Sequence, residues 1–590
     1  MQLTDEQQRI LETNANLVIN AVAGSGKTTT LIAYAESRPS NSRILYLAFN
    51  KTVKSEAQQK FAQAGITNVR VETAHSLAFD YVVRHSHYRV VQGYKSYDWC
   101  EMLDIKTGDR HTDFIIAGHV NRFISYFCNS KALRVQELDY ASTVSDPQAF
   151  KFVNNFYSVI ERFTREALAR MEKGLVAVTH DFYLKKFQLS KPILPFDYIL
   201  FDEGQDASGA MLDVFLQQPA VKVIVGDVHQ QIYGWRYAIN SLQQVDFPVY
   251  HLSHSFRFDE EIALVANKIL SWKKHINEAP SVKLIGAGKP NDTRVTRAIL
   301  GRTNLSLLLQ AITQWQHGNI SSLHFEGNIN SYTFADEGAS LYDVLNLYNG
   351  RVGSIRDKLI AEMKTMKELE DYIDKTEDNS LRMVVDVVKE FGNSLPGLIN
   401  ELKMNHTASR NDADMIFSTV HRCKGMEYDE VTLLSDFITE EKIKRNTDQK
   451  PADKMTEAER SKMAEEINIL YVAATRARSK LNIPPGINPL RSIELDYTLP
   501  TSPKIKKPTR QGSFQSEKDK FDGYNPRYAR AASINRRGNS GKKWTRDDKE
   551  WLVELFEQNM SLTDIAQLLE RSEAGIRMKL SELGMLDDEF

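Results

Sequence analysis

Hydrophobic and polar positions follow two alternating patterns in the first part of the chain. Short apolar runs such as "LVINAV" and "RILYLAF" are typical of buried strands, and "KTVKSEAQQKFAQAG" has the apolar spacing of a helix. Strand-like runs return in "FDYILFDE", "VKVIVGD" and "VYHLSHS", and later in "RAILGRT", "DMIFSTV" and "EVTLLSD". Strands that alternate with helices predict parallel sheets in an α/β fold.

Two helical segments interrupt this alternation. From about Arg89 to Lys173 the strand pattern fades, and "HTDFIIAGHVNRFISYF" and "NNFYSVIERFTREALARMEK" carry apolar residues at three-to-four spacing. A charged helical stretch from about Gly353 to Lys403 interrupts the later strands in the same way. We therefore predict two parallel-sheet domains, each with a helical insertion.

The chain changes character after Pro500. Between Thr501 and Arg546 there are about 13 Lys and Arg residues against about 3 acidic ones, with many Ser, Pro and Gly residues. Such a segment lacks the apolar content to fold alone, so we predict a basic linker. Beyond it, "WTRDDKEWLVELFEQNMSLTDIAQLLERSEAGIRMKLSELGML" regains helical periodicity and predicts a small all-α unit.

Composition limits the class of protein. A chain of 590 residues with 42% hydrophobic residues exceeds what one hydrophobic core organises, and its net charge is −2. The three cysteines are widely spaced, which argues against a disulfide framework or a zinc site and fits a reducing cytoplasm. The N-terminus has no signal-peptide pattern, and no apolar run is long enough to span a bilayer. We expect a cytoplasmic protein with no membrane partner.

The segment "AVAGSGKT" lies between the first strand-like run and a helical pattern. Gly24 and Gly26 would let backbone N–H groups approach phosphate oxygens closely. Lys27 can reach the β- and γ-phosphates of a nucleotide, and the Thr28 hydroxyl can ligate Mg²⁺. The alternative is a glycine-rich turn beside an exposed lysine, which the strand-turn-helix context disfavours.

A second segment, "YILFDEGQDAS", ends an apolar strand in two acids. Asp202 can hold the Mg²⁺ shell, and Glu203 can orient and deprotonate an attacking water molecule. Two adjacent acids at a strand end are otherwise often a solvated turn. Their presence in one chain with the Gly-Lys-Thr loop favours a nucleotide hydrolase.

Further segments point to a particular family. In chain order, "LTDEQQ", "LAFNK", "TAHSLA", "VIVGDVHQQIYGWRYA", "LSHSFRF", "STVHRCKGMEYDEV" and "EEINILYVAATRARSKL" resemble the motif set of the UvrD/Rep-like superfamily 1 DNA helicases, over roughly residues 1 to 485. "FRF" followed by "EEIALVAN", together with "EEINILYVAATRA", is most similar to the helicase portion of the F-box DNA helicases, although this sequence shows no F-box.

The resemblance implies a domain organisation with two RecA-like motor domains in an α/β fold. We expect the following parts: a first RecA-like domain at 1–88 and 174–250, a helical insertion at 89–173, a second RecA-like domain at 251–332 and 406–490, a short helical insertion at 333–405, a basic flexible linker at 491–543, and a helix-turn-helix or Myb-like all-α unit at 544–590.

The resemblance also implies roles in ATP binding. Gln7 matches a glutamine that reads the adenine edge, Phe256 an aromatic that stacks on the base, and Glu427 an acid that contacts the ribose. The remaining ATP-binding positions lie in the phosphate loop and the start of its helix: Ala23, Gly24, Ser25, Gly26, Lys27, Thr28 and Thr29. At Thr29 relatives often have an arginine.

Three further positions match residues that act on the γ-phosphate. Gln230 matches a glutamine that senses this phosphate and links hydrolysis to the DNA site. Arg257 and Arg476 match arginines that reach the γ-phosphate from the far side of a cleft, where cations stabilise the transferring group. The expected catalytic set is Lys27, Glu203, Gln230, Arg257 and Arg476, with Thr28 and Asp202 as Mg²⁺ ligands.

A second set matches contacts to single-stranded DNA. Aromatic side chains in this set would stack on bases, and polar ones would hold phosphates, with little sequence preference. The positions are Phe49, Asn50, Thr73, His75, Trp235, Arg236, Thr419 and His421. For Phe49 the alternative is core packing. Tyr237 departs from the family pattern, which would place a glycine there.

The sequence therefore predicts an ATP-dependent DNA helicase or translocase that uses ATP and Mg²⁺ and acts on single-stranded DNA and single-strand/duplex junctions. "DEGQD" resembles the branch that moves 3′ to 5′. One alternative is an ATPase stimulated by single-stranded DNA that removes proteins without processive unwinding. Another is a DNA-binding adaptor with a degenerate ATPase, which the intact motif residues disfavour. A monomer is compatible with these interpretations.

The C-terminal unit has its own candidate surface. "SLTDIAQLLERSEAGIRMKLSELGM" resembles helix-turn-helix or Myb-like units, and Ser572, Arg577 and Lys579 are candidates for the exposed face of its second helix. The alternative is an interaction or capping bundle. Through its basic linker, either version would tether the motor to duplex DNA or to a protein partner.

We predict that deletion of the residues after Pro500 weakens DNA binding and flattens its dependence on salt, because about 13 cations of the linker are removed with the C-terminal unit. ATP hydrolysis stimulated by single-stranded DNA should remain. Fluorescence anisotropy over a series of salt concentrations would measure this effect. An unchanged affinity in the truncated protein would contradict the tether.

Overall fold

The computed structural model describes residues 3–280, 282–289, 295–327 and 341–490, together with isolated positions elsewhere. The chain divides into two compact units, Met1–Pro500 and Thr501–Phe590. The larger unit contains two parallel sheets, which confirms the predicted α/β fold.

The first sheet has six parallel strands in the order β3-β2-β6-β7-β1-β8. Its strands are β1 (Leu17–Ala21), β2 (Ile44–Ala48), β3 (Val69–Thr73), β6 (Tyr198–Phe201), β7 (Val221–Gly226) and β8 (Val249–Leu252). β1 and β2 are buried at every position, as their continuous apolar runs predict for a sheet covered on both faces. β3 is largely half-buried, and the apolar pattern did not predict it.

Helices cover this sheet and connect its strands. They are α1 (Asp5–Leu11), α2 (Lys27–Glu36), α3 (Lys51–Gln63), α4 (Ala74–Ala78), α8 (His180–Leu189) and α9 (Gly209–Leu216), with a π-helical turn at Phe79–Val83. α1 begins with a capping box, in which Thr4 and Gln7 exchange side-chain and backbone hydrogen bonds.

The first insertion is helical, as the sequence predicts. It contains α5 (Ser96–Met102), α6 (Arg110–Asn129) and α7 (Pro147–Glu172), and its core includes Trp99, Phe123 and Tyr140, all fully buried. Two short strands were not predicted. They are β4 (Val90–Val91) and β5 (Val178–Thr179), which pair in parallel. This ribbon closes the two ends of the insertion against each other.

The second sheet has five parallel strands in the order β12-β13-β11-β14-β15. Its strands are β11 (Arg297–Gly301), β12 (Leu323–Phe325), β13 (Met415–Thr419), β14 (Tyr428–Leu433) and β15 (Ala477–Asn482). Around it lie α10 (Glu260–Leu270), α11 (Asn304–Gln316), α17 (Glu440–Gln449) and α18 (Glu457–Ala474), and a small ribbon pairs β9 (His254–Ser255) with β10 (Ile285–Gly286).

The second insertion packs against the first. Its helices are α12 (Leu341–Tyr348), α13 (Lys358–Glu362), α14 (Met366–Thr376), α15 (Asn379–Phe391) and α16 (Leu395–Met404). Glu377, just after α14, accepts hydrogen bonds from the backbone N–H groups of Ser145 (2.8 Å) and Asp146 (2.6 Å) and lies 3.0 Å from Arg122. The carbonyl of Lys375 lies 2.8 Å from Nε2 of His119. These contacts join the two insertions.

The predicted linker at 491–543 lies outside the described residues, and in the C-terminal unit only isolated positions are described. Among these positions, apolar residues form one buried cluster: Leu552, Ile565, Ala566, Leu569, Ile576 and Leu580. Ser572 is not among the described residues, whereas Arg577 is helical and exposed and Lys579 is helical and half-buried. In the parts of the chain that are described, no helix is both long and apolar enough to cross a bilayer.

We predict that Glu377→Ala destabilises the contact between the insertions by about 2 kcal/mol, because the backbone N–H groups of Ser145 and Asp146 and the Arg122 guanidinium lose one shared acceptor whose side chain is only 13% exposed. The first thermal transition should fall by about 4 °C. The matched control is Glu370→Ala, which breaks an ion pair with Lys389 whose side chains are 37% and 48% exposed. This control should change the transition by about 1 °C or less. Equal shifts would show that the Glu377 contacts do not stabilise the interface.

Candidate active site and nucleic-acid interface

The glycine-rich turn between β1 and α2 forms an anion cradle. Gly24 and Gly26 have φ values of 74° and 79°, the left-handed region that favours glycine. Gly26 is the N-cap of α2 and offers no side-chain cap, so the first N–H groups of the helix stay available. The Ser25 hydroxyl is buried without a hydrogen-bond partner among the described residues. This donor-rich turn suits a phosphate group.

Two acids at the carboxyl end of β6 face this turn. The Nζ of Lys27 lies 3.0 Å from Oε1 of Glu203. Burial alone would lower the pKa of Lys27, but the charges of Glu203, Asp202 and Asp227 raise it. Glu203 has a φ of 52°, an uncommon conformation for a residue with a side chain, and such strain concentrates at functional sites.

The two neighbouring carboxyl groups have pKa values displaced in opposite directions. Burial alone would raise the pKa of Glu203, but the positive charges of Lys27 and Lys424 lower it to about 2. Burial and the charge of Glu203 raise the pKa of Asp202 to about 6. Environments that separate the pKa values of paired acids are typical of catalytic sites.

Tyr46, in the middle of β2, was not predicted as part of the site. Its buried hydroxyl donates to a carboxylate oxygen of Asp202 and is also hydrogen-bonded to Thr28. The Thr28 hydroxyl and the Asp202 carboxylate are therefore both neighbours of the Tyr46 hydroxyl, and oxygen groups of these kinds suit Mg²⁺. In the described part of the chain, no group of three or more His, Cys, Asp or Glu residues forms a metal site of its own.

Gln7 lies next to the same turn. Its side-chain oxygen accepts from the Thr4 backbone N–H at 3.0 Å, and its Nε2 donates to the Thr30 hydroxyl at 2.9 Å. The glutamine is 5% exposed, whereas Thr29 is exposed on the helix. The structure thus places Gln7 beside the phosphate loop, and its role in reading the base stays a prediction.

The predicted arginines approach the turn from the segments that follow the first sheet. A Cβ atom added to Gly24 would lie 2.7 Å from Cβ of Arg257, so these segments pack closely. Arg257 pairs with Glu427 at 2.7 Å, and Glu427 also pairs with Arg478. Phe256 donates its backbone N–H to the Gly24 carbonyl at 2.9 Å and leaves its ring 48% exposed.

Arg476 follows α18 and is 1% exposed. Its guanidinium donates to the carbonyl groups of Val472 at 2.9 Å and Met426 at 3.1 Å. Burial and the nearby charge of Arg257 lower its pKa to about 10. Both predicted arginines are held by contacts with the segments "STVHRCKGMEYDEV" and "EEINILYVAATRARSKL", and their approach to a γ-phosphate stays a prediction.

The loop that follows β7 carries Gln230, whose Nε2 donates to Oδ2 of Asp227 at 2.8 Å. Lys424, between β13 and β14, also contacts this loop. Its Nζ donates to the Gln230 carbonyl at 2.7 Å and pairs with Asp206. Burial raises the pKa of Asp206 to about 6, although the charge of Lys424 opposes the shift. Lys424 was missed at the sequence level, although it lies within "STVHRCKG" beside two predicted residues.

Three of the predicted DNA contacts carry rings that are exposed or half-buried. Trp235 is 60% exposed, and the Arg236 guanidinium lies 4.6 Å from its ring centroid. Phe49 is half-buried and stacks on Tyr233, with ring centroids 5.6 Å apart. His75, with a side chain 45% exposed, has an edge-to-face contact with Tyr183 at 6.1 Å.

The other predicted DNA contacts have structural partners. His421 has a ring nitrogen 3.1 Å from the Ile232 carbonyl, and burial lowers its pKa to about 4. Thr419 ends β13 and is 7% exposed. Asn50 and Thr73 cap helices α3 and α4 through their side-chain oxygens. Tyr237, at the expected glycine position, has a φ of 58° and donates its hydroxyl to the Arg122 carbonyl at 3.3 Å.

A phosphate cradle, paired acids at a strand end and arginines brought by a second parallel sheet define a class of two-domain nucleotide-dependent motor proteins. The chain belongs to the UvrD-like helicase family. Residues 3–245 match the UvrD/REP helicase N-terminal domain, and residues 146–484 match the UvrD-like helicase C-terminal domain.

The chain is similar to F-box DNA helicase 1 of Gallus gallus, with 29% identity over 529 residues that cover 85% of this chain and 50% of that protein. F-box DNA helicase protein 1 of Schizosaccharomyces pombe is 27% identical over 545 residues, covering 83% and 58%. The ATP-dependent DNA helicase PcrA of Leuconostoc citreum is 24% identical over 338 residues, covering 52% and 44%. The chain thus spans about half the length of the curated relatives it matches.

We predict that Gly24→Ala separates the phosphate loop from the Arg257 segment, because the added Cβ would lie 2.6 Å from Oγ of Ser255 and 2.7 Å from Cβ of Arg257. Hydrogen exchange at the Phe256 amide, which donates to Gly24, should increase at least about tenfold. Gly65→Ala is the matched control, since φ is 72° there and no atom lies within 4 Å of the added Cβ. Equal exchange at Phe256 in both variants would contradict the close packing.

Proposed function

We propose that this chain is an ATP-dependent DNA helicase or translocase that moves along single-stranded DNA and couples ATP hydrolysis to the opening of duplexes. The observation that carries the proposal is the contact between Lys27 and Glu203, whose side chains are only 14% and 22% exposed, beside Thr28 and Asp202, which both neighbour the Tyr46 hydroxyl. Family membership supports the same reaction class.

The phosphate-loop side would bind ATP through its own residues. The N–H groups at the start of α2 and the Ser25 hydroxyl would donate to phosphate oxygens. Thr28 and Asp202 would hold Mg²⁺, which neutralises developing charge on the phosphates when it is bound. The exposed ring of Phe256 and the position of Gln7 support adenine binding between them.

Glu203 would act as the base that orients and deprotonates the attacking water. Its pKa lies low because Lys27 and Lys424 are nearby, so it is ionised at neutral pH. A bound γ-phosphate would compete with Glu203 for Lys27. Because loss of that cation removes stabilisation from the carboxylate, ATP binding would raise the pKa of Glu203 towards its ordinary value and make it a stronger base.

The second domain would complete the site. Arg257, which packs against the phosphate loop, and Arg476, whose pKa is lowered by the nearby charge of Arg257, would stabilise charge on the transferring phosphoryl group. Gln230 would sense the γ-phosphate, and the exposed Trp235 in the same loop would stack on a base of the single strand. Nucleotide-driven movement of one domain against the other would therefore act directly on the DNA.

The direction of movement and the surroundings of the motor are also proposals. We infer 3′-to-5′ movement from the resemblance of "DEGQD" to that branch of the family. The C-terminal unit and its basic segment would hold the motor near duplex DNA or a protein partner. Such an activity requires a compartment that contains DNA, and a bacterial or host cytoplasm meets this requirement.

We predict that Glu203→Gln lowers ATP hydrolysis stimulated by single-stranded DNA by at least about a hundredfold, while ATP binding remains, because the amide cannot accept the proton from water. A coupled-enzyme ATPase assay and titration with a fluorescent ATP analogue would measure the two effects. Glu161→Gln is the control, since Glu161 forms a helical ion pair with Arg165 away from the cleft. A wild-type protein that single-stranded DNA does not stimulate would contradict the proposal.

Unwinding of duplexes with a 3′ or a 5′ single-stranded tail tests the direction in the same preparation. Opening of the 3′-tailed duplex alone is the expected result, since the motor would load on the tail and move towards the junction. Opening of the 5′-tailed duplex alone would reverse the direction. Stimulated hydrolysis without opening of either duplex would instead support the alternative, an ATPase that removes proteins from DNA.

A further inference from the structure

Helix α18 carries a polar stripe that faces the loop of residues 227–236. Glu465, Asn468 and Tyr471 are spaced three residues apart, so they are neighbours along one side of the helix. Each contacts a different point of the loop. The helix ends at Ala474, three residues after Tyr471, and Arg476 follows after the C-cap residue Thr475.

The end of the stripe near the phosphate loop contacts two elements of the candidate nucleotide site. The Tyr471 hydroxyl donates to Oδ2 of Asp227 at 2.9 Å and accepts from the Ala23 backbone N–H of the phosphate loop at 3.4 Å. The same Oδ2 of Asp227 accepts from Nε2 of Gln230 at 2.8 Å. Tyr471 is 0% exposed, so no water replaces these contacts.

The rest of the stripe follows the loop towards the DNA-facing residues. Asn468, which is 3% exposed, donates through Nδ2 to the Gln231 carbonyl at 2.9 Å. Glu465 accepts from the Gly234 backbone N–H at 3.0 Å through Oε1. Gly234 immediately precedes Trp235, and a Cβ added to it would lie 2.8 Å from Oε2 of Glu465. A side chain at position 234 would therefore displace the Glu465 carboxylate from this hydrogen bond.

We propose that Glu465, Asn468 and Tyr471 are positioning residues that couple the nucleotide site to the DNA-facing Trp235 by holding the 227–236 loop in register with α18. The inference rests on the proposed motor function. Arg476 lies two residues beyond the end of the helix that carries the stripe and is tied to its last turn by a hydrogen bond to the Val472 carbonyl at 2.9 Å. A displacement of Arg476 by the γ-phosphate would therefore pull on the end of α18 and move all three contacts together. None of the three touches the reacting atoms.

The chain offers a matched control for each end of the stripe. Glu466, beside Glu465, pairs with Arg302 at 2.8 Å on the same helix and does not contact the loop. Tyr428 is a fully buried tyrosine whose hydroxyl donates to Glu326 at 2.9 Å, the same distance as the bond from Tyr471 to Asp227. Each control variant removes a contact of the same chemical type as the one that it matches, and it leaves the contacts of the 227–236 loop in place.

The first experiment compares Glu465→Ala, Glu465→Gln and Glu466→Ala in the full chain. Rates of ATP hydrolysis would be measured without DNA and at saturating single-stranded DNA, with KM for ATP and the thermal midpoint as further readouts. In Glu465→Ala, the stimulation of kcat by DNA should fall at least about fivefold, with KM for ATP and the DNA-free rate within about twofold of wild type. Glu465→Gln should restore the stimulation, because its amide oxygen still accepts from Gly234.

The second experiment compares Tyr471→Phe with Tyr428→Phe, two conservative changes that preserve packing. Tyr471→Phe should reduce the stimulation by at least about fivefold, and Tyr428→Phe should keep it. Equal losses in a variant and its control, or full stimulation in both Glu465→Ala and Tyr471→Phe, would overturn the coupling role while leaving the motor function intact. Absence of stimulation in the wild type would overturn the motor function and this inference together.

Discussion

A lysine largely shielded from water needs an anionic partner, and the Lys27–Glu203 contact is the interaction on which the nucleotide site depends. It joins the turn after β1 to the end of β6, two strands that are separated in the sheet by β7. Because the strands are parallel, their carboxyl ends meet at one edge, and Asp227, directly after β7, is close enough for its charge to raise the pKa of Lys27. The second domain then adds Lys424, whose charge further lowers the pKa of Glu203. The charges of these lysine and acidic side chains therefore stabilise one another at this edge of the sheet.

The sequence predicted the fold best where burial is complete. β1 and β2 are apolar at nearly every position, and both were recognised from their runs. β3 and β15 were not, because only one or two of their positions are fully buried and their polar residues hide the pattern. β12 is three residues long, too short for any periodicity to emerge. The two-domain α/β fold was nevertheless predicted, because it needs only the alternation of strands and helices.

The candidate site shows a similar limit. The spacing in "AVAGSGKT" and the acids after "YILF" identify groups that are close in the chain and close in space. Tyr46 is different, since it reaches Asp202 from a strand more than a hundred residues away and looks in the sequence like an ordinary core residue of β2. The hydroxyl of Tyr471 is similarly hidden within "ILYVAA". The packing of whole strands and helices decides which buried polar atoms form hydrogen bonds, and a local sequence pattern does not predict that packing.

The contact between the insertions has a mechanical consequence. Each insertion grows out of one of the two sheet regions, and Glu377 fastens them together at a place remote in sequence from the ATP cleft. Two bodies joined at a second place cannot twist freely about the first. While the Glu377 contact holds, the domain movement proposed above would be limited to a rotation about an axis that passes through this contact. The contact at Glu377 would thus make a small rotation of the two domains follow the same course each time.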